Sequence, residues 1–300
     1  MADRHPAREI AAAALRRDPG PLTVADSLSH QVFVGADVVV KIIEAGRHPR
    51  LEREIALAPH LPAGVTAPLL ASGVHPAGDG EVRFACYARM PGTAPGMGLP
   101  QADATAARTL TEQAVRRLRV LHEWTPPADA VPILREPLDH GGFTGRTALV
   151  EEIDAIAAVA PAALIDGLLA IAEGAPESVS AAVPVHADCH WGNWLADDGT
   201  ITALLDFEWA RFGDPMDDWF FVIADSGPHR WIALDVVAEA TGTAPDELRA
   251  ACEIRHANHL AADVRLAVTD PAEHGALLTP RLESLHEVIT RRTWWKSSVD

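Results

Sequence analysis

Apolar residues recur with two different periods along this chain, and the switch between them divides it. The opening AREIAAAALRR spaces its apolar residues as a short amphipathic helix, stopped by Pro19-Gly20. QVFVGADVVVKII, residues 31–43, then reads as two short strands around a Gly-Ala-Asp turn. PRLEREIALAPHL returns to helical spacing. GVTAPLLASGVH and EVRFACYARM follow as strands, separated by the turn HPAGDG. Residues 1–90 thus predict a small, mostly antiparallel sheet with one main helix.

MPGTAPGMGLP, residues 90–100, is dense in Pro and Gly and predicts a linker. Beyond it the helical period dominates. Ala107, Leu110, Ala114, Leu118 and Leu121 mark one face of a helix ending near His122. A Pro- and Gly-rich loop spans 126–145, and VEEIDAIAAVA and AALIDGLLAIAE predict two more helices. Strands return at VPVHAD, NWLAD and ITALLDFE, the last two joined by the hairpin turn Asp198-Gly199. Helices are expected from Asp214 onward. The fold class is α+β in two lobes: residues 1–90, a hinge at about 88–92, and residues 93–300, with a cleft between.

Charge narrows the partners. The chain carries 25 basic and 42 acidic residues, a net charge of -17, which argues against nucleic acid or an anionic membrane and suits a cationic small molecule. No secretory signal is evident, and no stretch approaches the roughly 18 apolar residues of a membrane span. Cys86, Cys189 and Cys252 are widely spaced and odd in number, without a CxxC pair, which points to a reducing cytoplasm. Lys41 and Lys296 are the only lysines among the basic residues, and the Ala-, Arg-, Asp- and Gly-rich composition suggests a GC-rich genome. A lysine retained in the apolar run VVVKII therefore hints at chemistry that arginine cannot perform.

The densest chemistry lies in HADCHWGN, residues 186–193. His186, Cys189 and His190 offer zinc ligands, and a metal-dependent hydrolase built on His186, Asp188 and His190 is one reading. Against it, the His186–His190 spacing suits a helix, whereas this segment follows an apolar strand and contains Trp-Gly; the HxHxDH order of metallo-hydrolases is also absent. The oxygen-bearing residues offer another. Asp188, Asn193 five positions later and Asp206 eighteen positions later supply what phosphoryl transfer needs. One carboxylate takes a hydroxyl proton; an amide oxygen and a second carboxylate hold magnesium on the nucleotide phosphates.

HADCHWGNWL followed by LLDFEWARFGDPMDDWFF resembles the signature of the aminoglycoside phosphotransferase and choline kinase-like family, written HGDLHxGN, IDW or IDF, then GDPxxDL. The resemblance implies a bilobal protein-kinase-like fold, ATP as donor with GTP left open, and Mg2+. It makes Asp188 the catalytic base, Asn193 and Asp206 the magnesium ligands, and His186 a brace for the loop. Gly213, Asp214, Pro215 and Asp218 match the GDPxxD element, mainly structural in that family. It further implies Lys41 as the phosphate lysine, held by Glu54 with Glu52 as fallback. Ser29, with His30, would meet phosphate, and the backbone of Ala88 to Met90 would meet adenine. His122 matches a structural LH pair. The sequence departs from the pattern at Ala187 for Gly, Cys189 for Leu and Trp191 for a small residue. Trp191 either lines the substrate mouth or packs beneath the loop, and Cys189 is expected as a small hydrophobe rather than a reactive thiol.

The acceptor is read less directly. Glu208, Asp217, Asp218, Asp225, Asp235 and Glu239 cluster after the core motif, with tryptophans 191, 194, 209, 219 and 231 among them. Acid plus aromatic suits a polycationic, ring-bearing antibiotic. An aminoglycoside or a cyclic peptide of the capreomycin or viomycin type fits, with Trp191, Glu208, Asp217 and Asp225 as acceptor-binding candidates and resistance as the outcome. A packed helical lobe with a solvated acidic face explains the same pattern. A small-metabolite kinase acting on an amino sugar, choline or homoserine is the alternative within the family, and a nucleotide-binding pseudo-enzyme the alternative outside catalysis. Nothing in the sequence addresses oligomeric state.

Overall fold

Alternation along one strand organises the first lobe. In the computed structural model, which describes residues 6–27, 30–46, 49–78, 80–138, 140 and 142–295, strand β3 (Val38–Glu44) points Val38, Val40 and Ile42 to one face. Its odd positions Lys41 and Ile43 point to the other, as a two-residue period requires. On the first face these residues pack with Phe33, Phe84 and Cys86 beneath helix α1 (Pro6–Leu15), which contributes Ala7, Ile10 and Ala11. On the second, Ile43, Ala85 and Tyr87 meet Leu51 of helix α2 (Arg50–Leu57). The sheet is antiparallel throughout, ordered β1 (Thr23–Ala25), β2 (Gln31–Val34), β3, β5 (Gly80–Ala88), β4 (Leu69–Ala77).

The segment after β5 turns at Gly92, where φ is +96° and an added Cβ would lie 2.2 Å from the Ala196 carbonyl oxygen. Only glycine lets the backbone approach this closely. Thr93 consequently exchanges backbone hydrogen bonds with Ala196, at 3.0 and 2.9 Å, tying the linker to the second lobe.

That lobe is mainly helical: α3 (Ala104–His122), α4 (Ala130–Arg135), α5 (Arg146–Ile156), α6 (Ala162–Glu173), α7 (Met216–Ala224), α8 (Arg230–Thr241), α9 (Pro245–Thr269), α10 (Pro271–His274) and α11 (Leu278–Arg291). Asp103 caps α3 by accepting from the Ala106 N–H at 2.8 Å. The face of α3 expected from its spacing is buried at Ala107, Leu110, Ala114, Leu118 and Leu121, against α7 and α8. A second core joins α5, α6, α9 and α11.

Two short ribbons carry the motif. Strands β7 (Trp194–Asp197) and β8 (Thr200–Leu204) form the expected hairpin, with Asp198 and Gly199 both at positive φ, 46° and 72°. Strand β6 (Val183–Val185) pairs with β9 (Arg211–Gly213). Neither β9 nor α4 is legible in the sequence, because each is too short to show a period; α4 is less than two turns long and buries Ala130 and Leu134. Among the described residues no helix is long and apolar enough to cross a membrane.

Candidate active site

The site begins with the face-alternation that turns Lys41 toward α2. Its Nζ donates to Glu54 Oε1 and Oε2, at 3.1 and 2.8 Å, and to Asp206 Oδ1 at 2.8 Å. Glu54, not Glu52, is the partner: Glu54 is buried in α2, whereas Glu52 is an exposed neighbour of Arg83. Burial opposes the ammonium, but the Asp206 and Glu54 carboxylates outweigh it and raise the Lys41 pKa. Burial likewise opposes the Asp206 charge, yet Lys41 holds its pKa below the usual carboxylate range.

Asp206 follows β8 in the left-handed conformation, at φ +68°. An aspartate tolerates this region better than most side chains. The turn swings the carboxylate back toward Lys41. Asp188 sits on the loop between β6 and β7. The Asn193 Nδ2 donates to the Asp188 carbonyl at 2.8 Å and to its Oδ2 at 3.2 Å, so the Asn193 Oδ1 is the amide atom left to face a cation. Burial, then the charges of Asp206 and Glu208, push the Asp188 carboxyl well above its ordinary range. Glu208 is itself raised to about 8, first by burial and then by Asp206. Crowded carboxylates that repel one another, beside an amide oxygen, form an oxygen-only set. That set fits a hard divalent cation such as magnesium.

Asp218, at the start of α7 and fully buried, holds the loop in place. Its Oδ1 accepts from the Ala187 N–H at 2.7 Å. Its Oδ2 accepts from the His186 N–H at 3.0 Å and from His122 Nε2, at the end of α3, at 2.8 Å. These donors hold its pKa low against the effect of burial. Ala187 is at φ +65°, a conformation that costs an alanine about 1–2 kcal/mol and that the two amide hydrogen bonds fix. His186 Nε2 donates to the Leu205 carbonyl at 2.8 Å, and its Nδ1 accepts from the Asp188 N–H at 3.2 Å. Both ring nitrogens are thereby occupied, so His186 has no lone pair for zinc, and the hydrolase reading on His186, Asp188 and His190 loses a ligand. Cys189 is buried with its thiol on the Asp218 carbonyl at 3.3 Å, and burial raises its pKa well above normal.

Several sequence expectations need correction. Trp191 does not line a mouth: it is 0% exposed, and its Nε1 donates to Ser226 Oγ at 2.9 Å. A large ring in place of a small residue fills space beneath the loop. Asp217 does not face an acceptor either. It is buried between Arg211, 2.9 Å away, and Arg255, 3.0 Å away. Trp194 and Trp219 are core residues, so much of the acid-and-aromatic cluster is packing. Glu208 is buried and faces His30 at 3.5 Å, beneath the first lobe and away from open surface. Asp225 alone of the four acceptor candidates stays half-buried, at the end of α7, with its pKa raised by burial to about 7.

In the segment expected as the hinge, the Ala88 N–H already donates to the Pro68 carbonyl at 2.9 Å, and Met90 packs against the cluster that holds Tyr87 and Leu205. Ser29 lies outside the described residues. Sequence reasoning missed the Glu208–His30 contact and the placing of Asp218 at the centre of the loop's support; the GDPxxD spacing was the available signal for the second.

A two-lobed fold with its sheet lysine bonded across the cleft to a carboxylate of the helical lobe is a kinase-type phosphotransferase. The chain belongs to the phosphotransferase enzyme family, whose sequence pattern matches residues 23–252. No curated protein matches it in sequence. Among solved structures it is similar to the GDP complex of aminoglycoside 2'-phosphotransferase-IIIa, at TM-score 0.75 and 16% identity, covering 94% of this chain and 97% of that one. It is also similar to the macrolide 2'-phosphotransferase MphH of Brachybacterium faecium, at TM-score 0.60 and 22% identity, covering 91% and 96%. A third is a ternary complex of aminoglycoside phosphotransferase APH(4)-Ia with AMP-PNP and hygromycin B, at TM-score 0.59 and 16% identity, covering 93% and 97%. At these identities the likeness is one of fold.

Proposed function

We propose that this protein transfers the γ-phosphoryl group of a nucleoside triphosphate to a hydroxyl of a small cationic molecule, a basic antibiotic, in the cytoplasm. The observation that carries the reading is the Lys41 ammonium 2.8 Å from Asp206, with Glu54 behind it. Lys41 binds the α- and β-phosphates as a fixed point charge. Asn193 and Asp206 are the residues that would hold magnesium, whose positive charge would offset that of the nucleotide phosphates.

Asp188 orients the acceptor hydroxyl and takes its proton as the hydroxyl oxygen bonds the γ-phosphorus and the nucleoside diphosphate leaves. The Asn193 amide fixes the rotamer of Asp188, and Asp218 fixes the loop beneath both. The acceleration then comes from positioning and from prearranged charge. The Met90 backbone is the hinge group proposed to meet the base. ATP is the proposed donor and GTP the competing one; the GDP complexes among the structural relatives keep both in view.

The net charge of -17 and the half-buried Asp225 support a cationic acceptor. The relatives solved with kanamycin, hygromycin B and gentamicin bind polycations of that kind. The test is nucleoside diphosphate release from ATP and GTP against aminoglycosides, capreomycin, viomycin, macrolides, amino sugars, choline and homoserine. Acceptor-dependent release with a basic antibiotic, lost at least about a hundredfold in Asp188→Ala, is expected. Transfer retained by that variant would remove Asp188 from the base role, and turnover confined to choline, homoserine or amino sugars would replace the antibiotic reading.

A further inference from the structure

The loop between α4 and α5 brings His140 against α9, where it meets His259 and Asp263. His140 Nε2 lies 3.6 Å from Asp263 Oδ1, and His259 Nε2 lies 3.6 Å from Asp263 Oδ2. The two imidazole centroids are 4.7 Å apart, and one ligand atom from each of the three residues lies within 4.8 Å of the other two. His259 and Asp263 are one helical turn apart and share a face of α9. His140 reaches them from more than a hundred residues away, which is why no motif shows in the sequence.

His140 Nε2 is held only by a long, 3.4 Å hydrogen bond to the His259 carbonyl, which a metal would displace. Asp263 Oδ2 is ion-paired with Arg281 Nε at 2.6 Å, so Oδ1, facing His140, is the oxygen available to a further partner.

We propose that His140, His259 and Asp263 bind one zinc-class divalent ion that pins the α4–α5 loop to α9, separately from the magnesium site. Tetrahedral zinc with bonds near 2.0–2.1 Å sets its ligand atoms about 3.3 Å apart; His140 Nε2 and Asp263 Oδ1 are 3.6 Å apart, and His259 lies in the same 4.8 Å cluster. Two nitrogens and one oxygen suit zinc and not magnesium, which prefers oxygen alone. Coordination through Oδ1 leaves Oδ2 for Arg281, an outer partner that orients the carboxylate. The fourth position goes to water. The Arg281 charge works against a cation, which sets the affinity below that of closed four-ligand sites.

The experiment uses the full chain, free of any histidine tag and stripped by chelator, titrated with Zn2+ in excess Mg2+. One equivalent is expected to bind, at least about tenfold more weakly in His140→Ala and in His259→Ala, with unchanged stoichiometry in Asp188→Ala. Co2+ in place of zinc should give the visible absorption of a four- or five-coordinate site in the unmutated protein. No zinc uptake by that protein, or uptake undiminished in both histidine variants, overturns the proposal. If either variant fails to fold, the cobalt spectrum and anomalous diffraction of the unmutated protein decide the matter. A spectrum of octahedral cobalt, or metal located on other residues, overturns the site.

Discussion

Lys41 and Asp206 are 165 positions apart in the chain, yet Nζ and Oδ1 are 2.8 Å apart across the cleft. The ammonium also spans both oxygens of Glu54, so one compact charge satisfies a buried and a half-buried carboxylate from opposite lobes. Lys41→Ala should lower kcat by about a hundred- to a thousandfold, the scale of losing one fixed electrostatic contact in the transition state. Lys41→Arg should recover little, because a planar fork cannot replace a point charge between two carboxylates. Steady-state kinetics on both variants check this; full activity in Lys41→Arg would contradict it.

Asp218 gathers three donors from two segments, the end of α3 and the 186–187 loop, which makes its substitution a stability experiment. In Asp218→Asn one oxygen becomes an NH2 group that faces an N–H donor. A loss of about 3 kcal/mol in denaturant unfolding is expected, with kcat falling alongside. A variant with unchanged stability would show that the His122, His186 and Ala187 contacts are incidental.

Ala187 offers the opposite sign. At φ +65° its Cβ is strained, and glycine relieves that strain at some cost in chain entropy. Ala187→Gly should stabilise the protein by roughly 0.5–1 kcal/mol with activity kept. Destabilisation on the same unfolding assay would mean that the alanine methyl packs too well to lose.

Trp191→Phe separates packing from recognition. Loss of the Ser226 hydrogen bond and of part of a buried ring should cost about 2 kcal/mol of stability, with the acceptor KM barely moved. A tenfold rise in acceptor KM at unchanged stability would return Trp191 to the mouth of the site.

His256 gives the pH dependence. Burial, then the neighbouring His259, lowers its pKa to about 3, and its Nδ1 accepts from Trp294 Nε1 at 3.2 Å. The unfolded chain protonates this histidine near pH 6.5, while the folded one resists until about 3. Its contribution to stability is therefore complete above about pH 6.5. It falls by up to about 1.4 kcal/mol per unit as the pH drops below that, because the unfolded state binds the extra proton. Denaturation midpoints from pH 7.5 to 5 should decline, and less steeply in His256→Asn. Equal slopes in the two proteins would locate the acid sensitivity elsewhere.

Much of this architecture is legible in the chain because the relevant signals are local. The apolar run VVVKII after a Gly-Ala-Asp turn predicts β3 and draws attention to Lys41, whose face the structure then shows. The Asp198-Gly199 turn predicts the hairpin that carries Asn193 and Asp206 to one place. Spacing over 186–218 shows the motif and, through Asp218, its support. The misreadings concern surroundings. Trp191 and Asp217 have residue types that suit a cationic ligand, and they are buried against Ser226, Arg211 and Arg255 instead.

Sequence alone determined which residues can do chemistry, since periodicity and spacing are properties of neighbours within a turn or a hairpin. Tertiary structure decided which of them meet and which are enclosed. Glu54 rather than Glu52 reaches Lys41, three tryptophans vanish into the core, and His140 joins His259 and Asp263. Burial and long-range pairing depend on how whole elements pack, and a side chain's type does not record which surface its element turns inward.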